Sequence, residues 1–113
     1  MAKAKEKKKK NQQEFRQLAE VDRIIHEPAR LLIVSFLYVV DSADFLFLLN
    51  QTGLTRGNLS SHLIKLEEAG YVEIRKEFLK KTPRTLLVLT KKGRHAFIQY
   101  RKRIRQVFDD LPE

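Results

Sequence analysis

Between Thr55 and Leu66 the chain reads TRGNLSSHLIKL, and Leu59, Leu63 and Leu66 recur at i, i+4 and i+7. That spacing gathers the leucines on one stripe of a helix and leaves Arg56, Asn58, Ser61 and Lys65 outside, with Ser60 and His62 flanking. The outward set suits the recognition of base edges and phosphates. Arg pairs with guanine and Asn with adenine, whereas Ser and Lys hold phosphate oxygens. Thr55 is placed to cap the helix, and the free N–H groups from Thr55 to Asn58 add a pull on anions. Acids come only at the far end, as Glu67 and Glu68, so the N-terminal half is the half fit to approach phosphate. A merely solvated helix face would carry similar residues, so this helix does not decide the matter alone.

A second basic group follows. Arg75, Lys76, Lys80, Lys81 and Arg84 face only Glu77 between residues 75 and 84. They lie on two β-rich runs, 71–78 and 85–89, joined by residues 79–84, which predicts a hairpin with a longer loop whose tip is stiffened by Pro83. A helix of this kind fits the major groove of double-stranded DNA, and a basic hairpin beside it reaches the adjacent backbone or minor groove.

The charge distribution agrees. The chain has 113 residues and a formal net charge of +9. Residues 1–10 hold six Lys against Glu6, residues 11–50 carry three basic and six acidic side chains, and residues 51–113 carry fourteen basic and seven acidic. A field of that sign concentrates polyanions, and it is strongest in the arm and the second half.

Other chemistries find little support. With no cysteine there are no disulfides, thiolate metal sites or thiol nucleophiles, and the composition fits a reducing cytoplasm. His26, His62 and His95 show no metal-ligand spacing, and Asp41 and Asp44 read as helix caps rather than as a catalytic pair. No glycine-rich phosphate loop or nucleophile motif occurs, so the chain reads as a non-enzyme without cofactor or metal. Residues 31–49 are apolar, but Asp41 and Asp44 interrupt them before a membrane span accumulates, and no apolar segment directly follows the N-terminal lysines as a secretory signal requires.

The elements that must position these residues follow from periodicity. Residues 1–10 read as a disordered basic arm, and residues 11–113 as one domain of the α+β class, mainly α. A first helix is expected from Asn11 to Ile25 or His26, carrying Phe15, Leu18, Val21 and Ile25 on one face. Pro28 opens a nearly all-apolar helix through Val40 that belongs in the middle of the domain. Asp41–Asp44 breaks it, Phe45–Asn50 forms a short third helix, Gly53 marks a turn, and the Thr55 helix stops at Gly70. The last helix runs from about Lys91 to Asp109. Its Phe97, Tyr100, Ile104, Val107 and Leu111 follow at spacings of three, four, three and four, a seam on which two copies could pair over residues 91–111. Phe15, Leu18 and Ile25 would form the second half of that homodimer interface.

In combination, HEPARL at 26–31, GLTRGNLSSHL at 53–63, LEEAGYV at 66–72, PRT at 83–85 and LTKKGR at 89–94 resemble winged helix-turn-helix transcription regulators of the MarR and ArsR type, especially small one-domain archaeal and bacterial members. The resemblance covers about residues 20–95. It implies a two-stranded wing between flanking helices, a dimer on operator DNA that blocks transcription, and Arg56, Asn58, Ser60, Ser61 and His62 at recognition positions. Leu49 departs from the small residue many such units carry between their two helices. The ligands of metal-sensing relatives are absent, so metal sensing is not implied. A sequence-specific, cytoplasmic, nucleoid-associated repressor is therefore expected. A non-specific architectural nucleic-acid binder and a winged-helix protein-interaction module are the alternatives.

Overall fold

The computed structural model describes residues 21–113. The lysine arm of residues 1–10 and the start of the expected first helix, with Phe15 and Leu18, lie outside the described residues. Along the described chain run α1 (Pro28–Val40), β1 (Ser42–Asp44), α2 (Phe45–Thr52), α3 (Arg56–Glu68), β2 (Val72–Leu79), β3 (Thr82–Leu89) and α4 (Lys91–Asp109). The α+β, mainly helical class expected from periodicity is the one observed.

Residues 21–27 form turns rather than the end of a helix. The Asp22 carboxylate accepts hydrogen bonds from the Ile24 and Ile25 amides at 2.8 and 3.2 Å and also from the Tyr71 hydroxyl. A short acidic side chain that satisfies its neighbours' amides competes with the helical ladder, which accounts for the turn. Burial, and then Asp22, push the Tyr71 hydroxyl up to about 12, so it stays a neutral donor.

Glu27 caps α1 by accepting the Arg30 amide at 2.8 Å, ahead of Pro28 in the first turn. Burial alone would raise the Glu27 pKa. The amides of Arg30 and Ala29 outweigh it and hold the carboxyl below its ordinary value. One side of α1 enters the core through Ile33, Val34 and Leu37. Among the described residues nothing covers its other side as the all-apolar sequence suggested, since Leu32, Val39 and Val40 are exposed, Val39 at 80%.

The sheet has three antiparallel strands in the order β1-β3-β2, one more than the two-stranded wing. Residues 42–44, expected only as a helix break, pair Ser42, Ala43 and Asp44 with Val88, Leu87 and Leu86. Asp44 still caps α2, accepting the Leu46 amide at 2.8 Å. The helix α3 ends at Glu68, and the anticipated stop residue Gly70 follows just beyond its cap Ala69. With φ +80 at Gly70, the Gly70 and Tyr71 amides reach back to the Glu67 and Leu66 carbonyls, both at 2.9 Å. The start of α4 is tied there too, by the Thr90 hydroxyl on the Gly70 carbonyl at 2.6 Å and the Thr90 amide on the Tyr71 carbonyl at 3.0 Å.

The core joins Ile33, Val34 and Leu37 of α1 to Leu48, to Leu59, Leu63 and Leu66 of α3, to Val72, Leu87 and Leu89 of the hairpin, and to Phe97 and Tyr100 of α4. This changes the dimer seam. Ile25, Phe97, Tyr100 and Val107 are already buried within one chain and Ile104 packs against its core, so most of the stripe covers its own domain. Among the described residues of that set Leu111 alone is exposed, and three residues before it stands Phe108, 64% exposed.

Candidate nucleic-acid interface

Helix α3 turns Leu59, Leu63 and Leu66 inward, and this fixes what it shows outside. Arg56, Gly57, Asn58, Ser60, Ser61, Ile64 and Lys65 are exposed. Thr55 is the cap, its hydroxyl accepting the Asn58 amide at 3.1 Å, and no acid stands in the first turn. Six of the sequence-derived positions, Thr55, Arg56, Asn58, Ser60, Ser61 and Lys65, thus share the solvent side of α3.

His62 stands apart. It is half-buried, with Nδ1 3.1 Å from Arg30 Nη1 and 3.6 Å from Glu27 Oε2. Arg30 is 8% exposed and donates from Nε to the Ile24 carbonyl at 2.6 Å. The cluster ties α3 to α1 and the 21–27 turn.

Two residues that reasoning from side-chain chemistry passed over belong to this face. An added Cβ at Gly57 would meet nothing within 4 Å, so packing does not require a glycine there, whereas one at Gly93 would sit 2.2 Å from the Tyr71 carbonyl oxygen. A helical glycine without a packing reason leaves room for close approach of another backbone. Ile64, also exposed, offers the apolar contact that a thymine methyl takes. The signals were present: a glycine in the first turn and an isoleucine off the leucine stripe.

Beside α3 stands the hairpin. Its connection is shorter than expected: the register closes at Leu79↔Thr82, leaving only Lys80 and Lys81 between the strands. Both have positive φ, 50° and 71°, as a two-residue turn matching the strand twist requires. Pro83 lies inside β3 opposite Phe78, one pair from the turn. Ladder bonding alternates, so that pair is non-hydrogen-bonded and the missing N–H faces the edge that β1 does not reach.

Register sorts the wing's cations. Ile74, Lys76 and Phe78 share one face with Leu87, Thr85 and Pro83. Ser60, Ile64, Ile74, Lys76 and Thr85 line a groove of about 280 Å³ between α3 and the hairpin, so Lys76 joins the α3 surface. Arg75 and Arg84 lie on the opposite face, where Arg75 pairs with Glu73 at 2.8 Å and Arg84 with Glu77 at 3.2 Å. Lys80 and Lys81 crown the tip, exposed, while Arg84 is already engaged.

Lysine in the left-handed region costs about 1 kcal/mol per residue where Asn or Gly would not. The double variant Lys80→Asn/Lys81→Gly should therefore raise stability by about 1 to 2 kcal/mol and the melting temperature by several degrees, while weakening polyanion binding at low salt. Thermal melts beside a duplex titration check both halves.

Half of the fourteen cations of residues 51–113 lie on α4: Lys91, Lys92, Arg94, Arg101, Lys102, Arg103 and Arg105. Arg94 pairs with Asp41 and its guanidinium lies 4.9 Å from the centroid of the Tyr38 ring, which Arg101 approaches at 5.8 Å. The basic second half therefore divides between the α3–hairpin surface and α4. Among the described residues no group of His, Cys, Asp and Glu is arranged to hold a metal, and no helix is long and apolar enough to cross a membrane.

Comparison with known proteins bears on this geometry. Residues 29–108 match the family model described as a winged helix DNA-binding domain. An uncharacterized protein of Methanocaldococcus jannaschii is 39% identical over 89 residues, 79% of this chain and 97% of the relative. The solved structure of a transcriptional regulator homologue protein from Pyrococcus horikoshii OT3 superposes with a TM-score of 0.81 at 31% identity, covering 87% of this chain and 99% of that one. An ArsR family transcriptional regulator superposes with a TM-score of 0.52 at 14% identity, over 86% of this chain and 95% of that one, a likeness of fold alone.

Proposed function

Because this chain belongs to the winged helix DNA-binding domain family, we propose that it is a sequence-specific regulator of transcription that binds double-stranded DNA as a homodimer and represses by occupying its operator. The observation that carries this reading is the exposed face of α3, on which Arg56, Asn58, Ser60, Ser61 and Lys65 stand together with no acid before Glu67. In the proposed complex α3 lies in the major groove, Arg56 and Asn58 read bases, Thr55, Ser60, Ser61 and Lys65 hold flanking groups, and His62 braces the helix from behind. Lys80 and Lys81, with Lys76, hold the backbone at the neighbouring groove, and Arg84 offers a phosphate the guanidinium N–H groups that Glu77 does not take. The six lysines of residues 1–10 contribute sequence-independent affinity that fades with salt. A protein acting this way works in the cytoplasm, at the nucleoid.

Gly57→Ala separates folding from binding. With open space at its Cβ, the substitution should stabilise the helix by up to about 1 kcal/mol yet weaken operator binding about tenfold, since the new methyl occupies the space left for the DNA. Denaturant melts and a binding isotherm on one preparation read the two signs.

The dimer reading now rests on Phe108 and Leu111 at the end of α4 rather than on the buried part of the seam. Phe108→Asp/Leu111→Asp should convert a dimer of about twice the chain mass to a monomer, as read by light scattering. A wild type already monomeric at micromolar concentration would remove the homodimer. Two-fold partners would meet inverted half-sites about 10 base pairs apart or a multiple of that.

Selection of duplexes from a random pool, followed by affinity measurements at physiological salt, tests the function. A regulator should prefer the selected site over random duplex by about 10³-fold or more. Equal affinity for all duplexes would indicate an architectural binder, and none at all a protein-interaction module.

A further inference from the structure

The end of the hairpin carries two large apolar side chains in open solvent, Phe78 at 78% exposure and Leu79 at 55%. Among the described residues neither belongs to the core. On the inner face of the hairpin the cross-strand pairs Val72↔Leu89 and Ile74↔Leu87 enter the core or pack on it, but Phe78↔Pro83 lies past its edge. A non-hydrogen-bonded pair brings its side chains close together, so Phe78 and Pro83 form one apolar ledge at the tip. Eight paired positions and a two-residue turn hold that ledge in place, so little chain entropy is lost when it is inserted into something.

Its surroundings favour a polyanion over a second protein. Lys80 and Lys81 cap the tip and Lys76 stands on the same face as Phe78. Glu77, its neighbour in sequence, points to the other face and pairs there with Arg84. The face that bears Phe78 is continuous, across the 280 Å³ groove, with Ser60 and Ile64 of α3. An apolar side chain ringed by cations and aligned with a base-reading helix is suited to the minor groove, where apolar wedges enter between base pairs while cations hold the two backbones.

We propose that the wing tip is such a wedge: Phe78 inserts at a deformable pyrimidine–purine step beside the major-groove site, kinking the duplex, with Leu79 against the sugar edge. This rests on the reading of α3 and the hairpin as a DNA interface. The wedge adds a preference that no hydrogen bond conveys, for TA or CA/TG steps where unstacking is easiest.

The experiment uses the full chain and its selected duplex, end-labelled with a donor and an acceptor dye. Bound wild type should bend the duplex by about 20° or more. Phe78→Ala should abolish most of the bend and weaken binding about tenfold, the scale of one lost stacking contact. Lys81→Ala should weaken binding but leave the bend. The chain has no tryptophan, so Phe78→Trp places a single indole at the tip, whose emission the duplex should quench and heparin, a polyanion without bases, should not. Both positions are exposed, so the variants should melt as wild type does. An unchanged bend and affinity in Phe78→Ala, or an indole that duplex and heparin affect alike, overturns the wedge while leaving the α3 site standing. Loss of self-association in Phe78→Ala at unchanged bend would assign the tip to a second copy instead. A wild type that binds no duplex removes the α3 reading, and the wedge with it.

Discussion

Arg56→Ala should weaken binding to the preferred duplex by about 1 to 3 kcal/mol and relax the preference at a single base pair, with folding stability unchanged. Arg56 is exposed at the start of α3, where the free amides of the helix add to its charge. Lys81→Ala should behave differently: weaker binding to every sequence alike and a salt slope smaller by about one unit, because a turn lysine meets phosphate and not a base edge. Isotherms on the selected and a scrambled duplex at several salt concentrations separate the two. An Arg56→Ala protein with unaltered affinity and preference would remove α3 as the reading element.

Gly93→Ala should destabilise the fold by about 3 kcal/mol, the upper range for overpacking, because the added methyl would meet backbone rather than a flexible side chain. A Cβ there lies 2.2 Å from the Tyr71 carbonyl oxygen and 2.9 Å from Leu89 Cδ1. To relieve the contact α4 must lift from the strand start, straining the bonds of Thr90 to Gly70 and Tyr71. Phe97 and Tyr100, farther along α4, would then lose part of their burial in the shared core. Urea unfolding at an unchanged m-value reads the loss directly. A shift below about 1 kcal/mol would mean that α4 does not cross Tyr71 so closely.

Much of the domain was legible because its signals are local. The Leu59, Leu63 and Leu66 stripe, the Thr55 cap and the Gly70 stop mark α3 to within a residue or two, and the exposed cations follow from that phase. What was not legible depends on partners far along the chain. Helical periodicity runs on through Val21 and Ile25, whereas Asp22 binds the Ile24 and Ile25 amides in a turn and also the Tyr71 hydroxyl 49 residues later. Ser42–Asp44 is too short and polar to show a strand pattern, and its pairing with residues 86–88 belongs to the fold rather than to the segment. Lys80 and Lys81 do not announce a tight turn, since neither type favours positive φ. The pairing of Arg84 with Glu77 depends on that turn's register, and the inward tilt of His62 on the buried Arg30. On α4 the spacing of Phe97, Tyr100 and Ile104 is the same whether the stripe faces its own core or a partner, and burial decided for the core.

The placement of α3 in the major groove is tested most directly by methylation protection at guanine N7, an atom exposed only in that groove. On the selected duplex the wild type should shield one or more guanines in each half-site, and Arg56→Ala should restore their reactivity while Lys81→Ala, at saturating protein, should not. Guanines that react equally with and without saturating wild-type protein, on a site containing guanine in each half, would contradict the account.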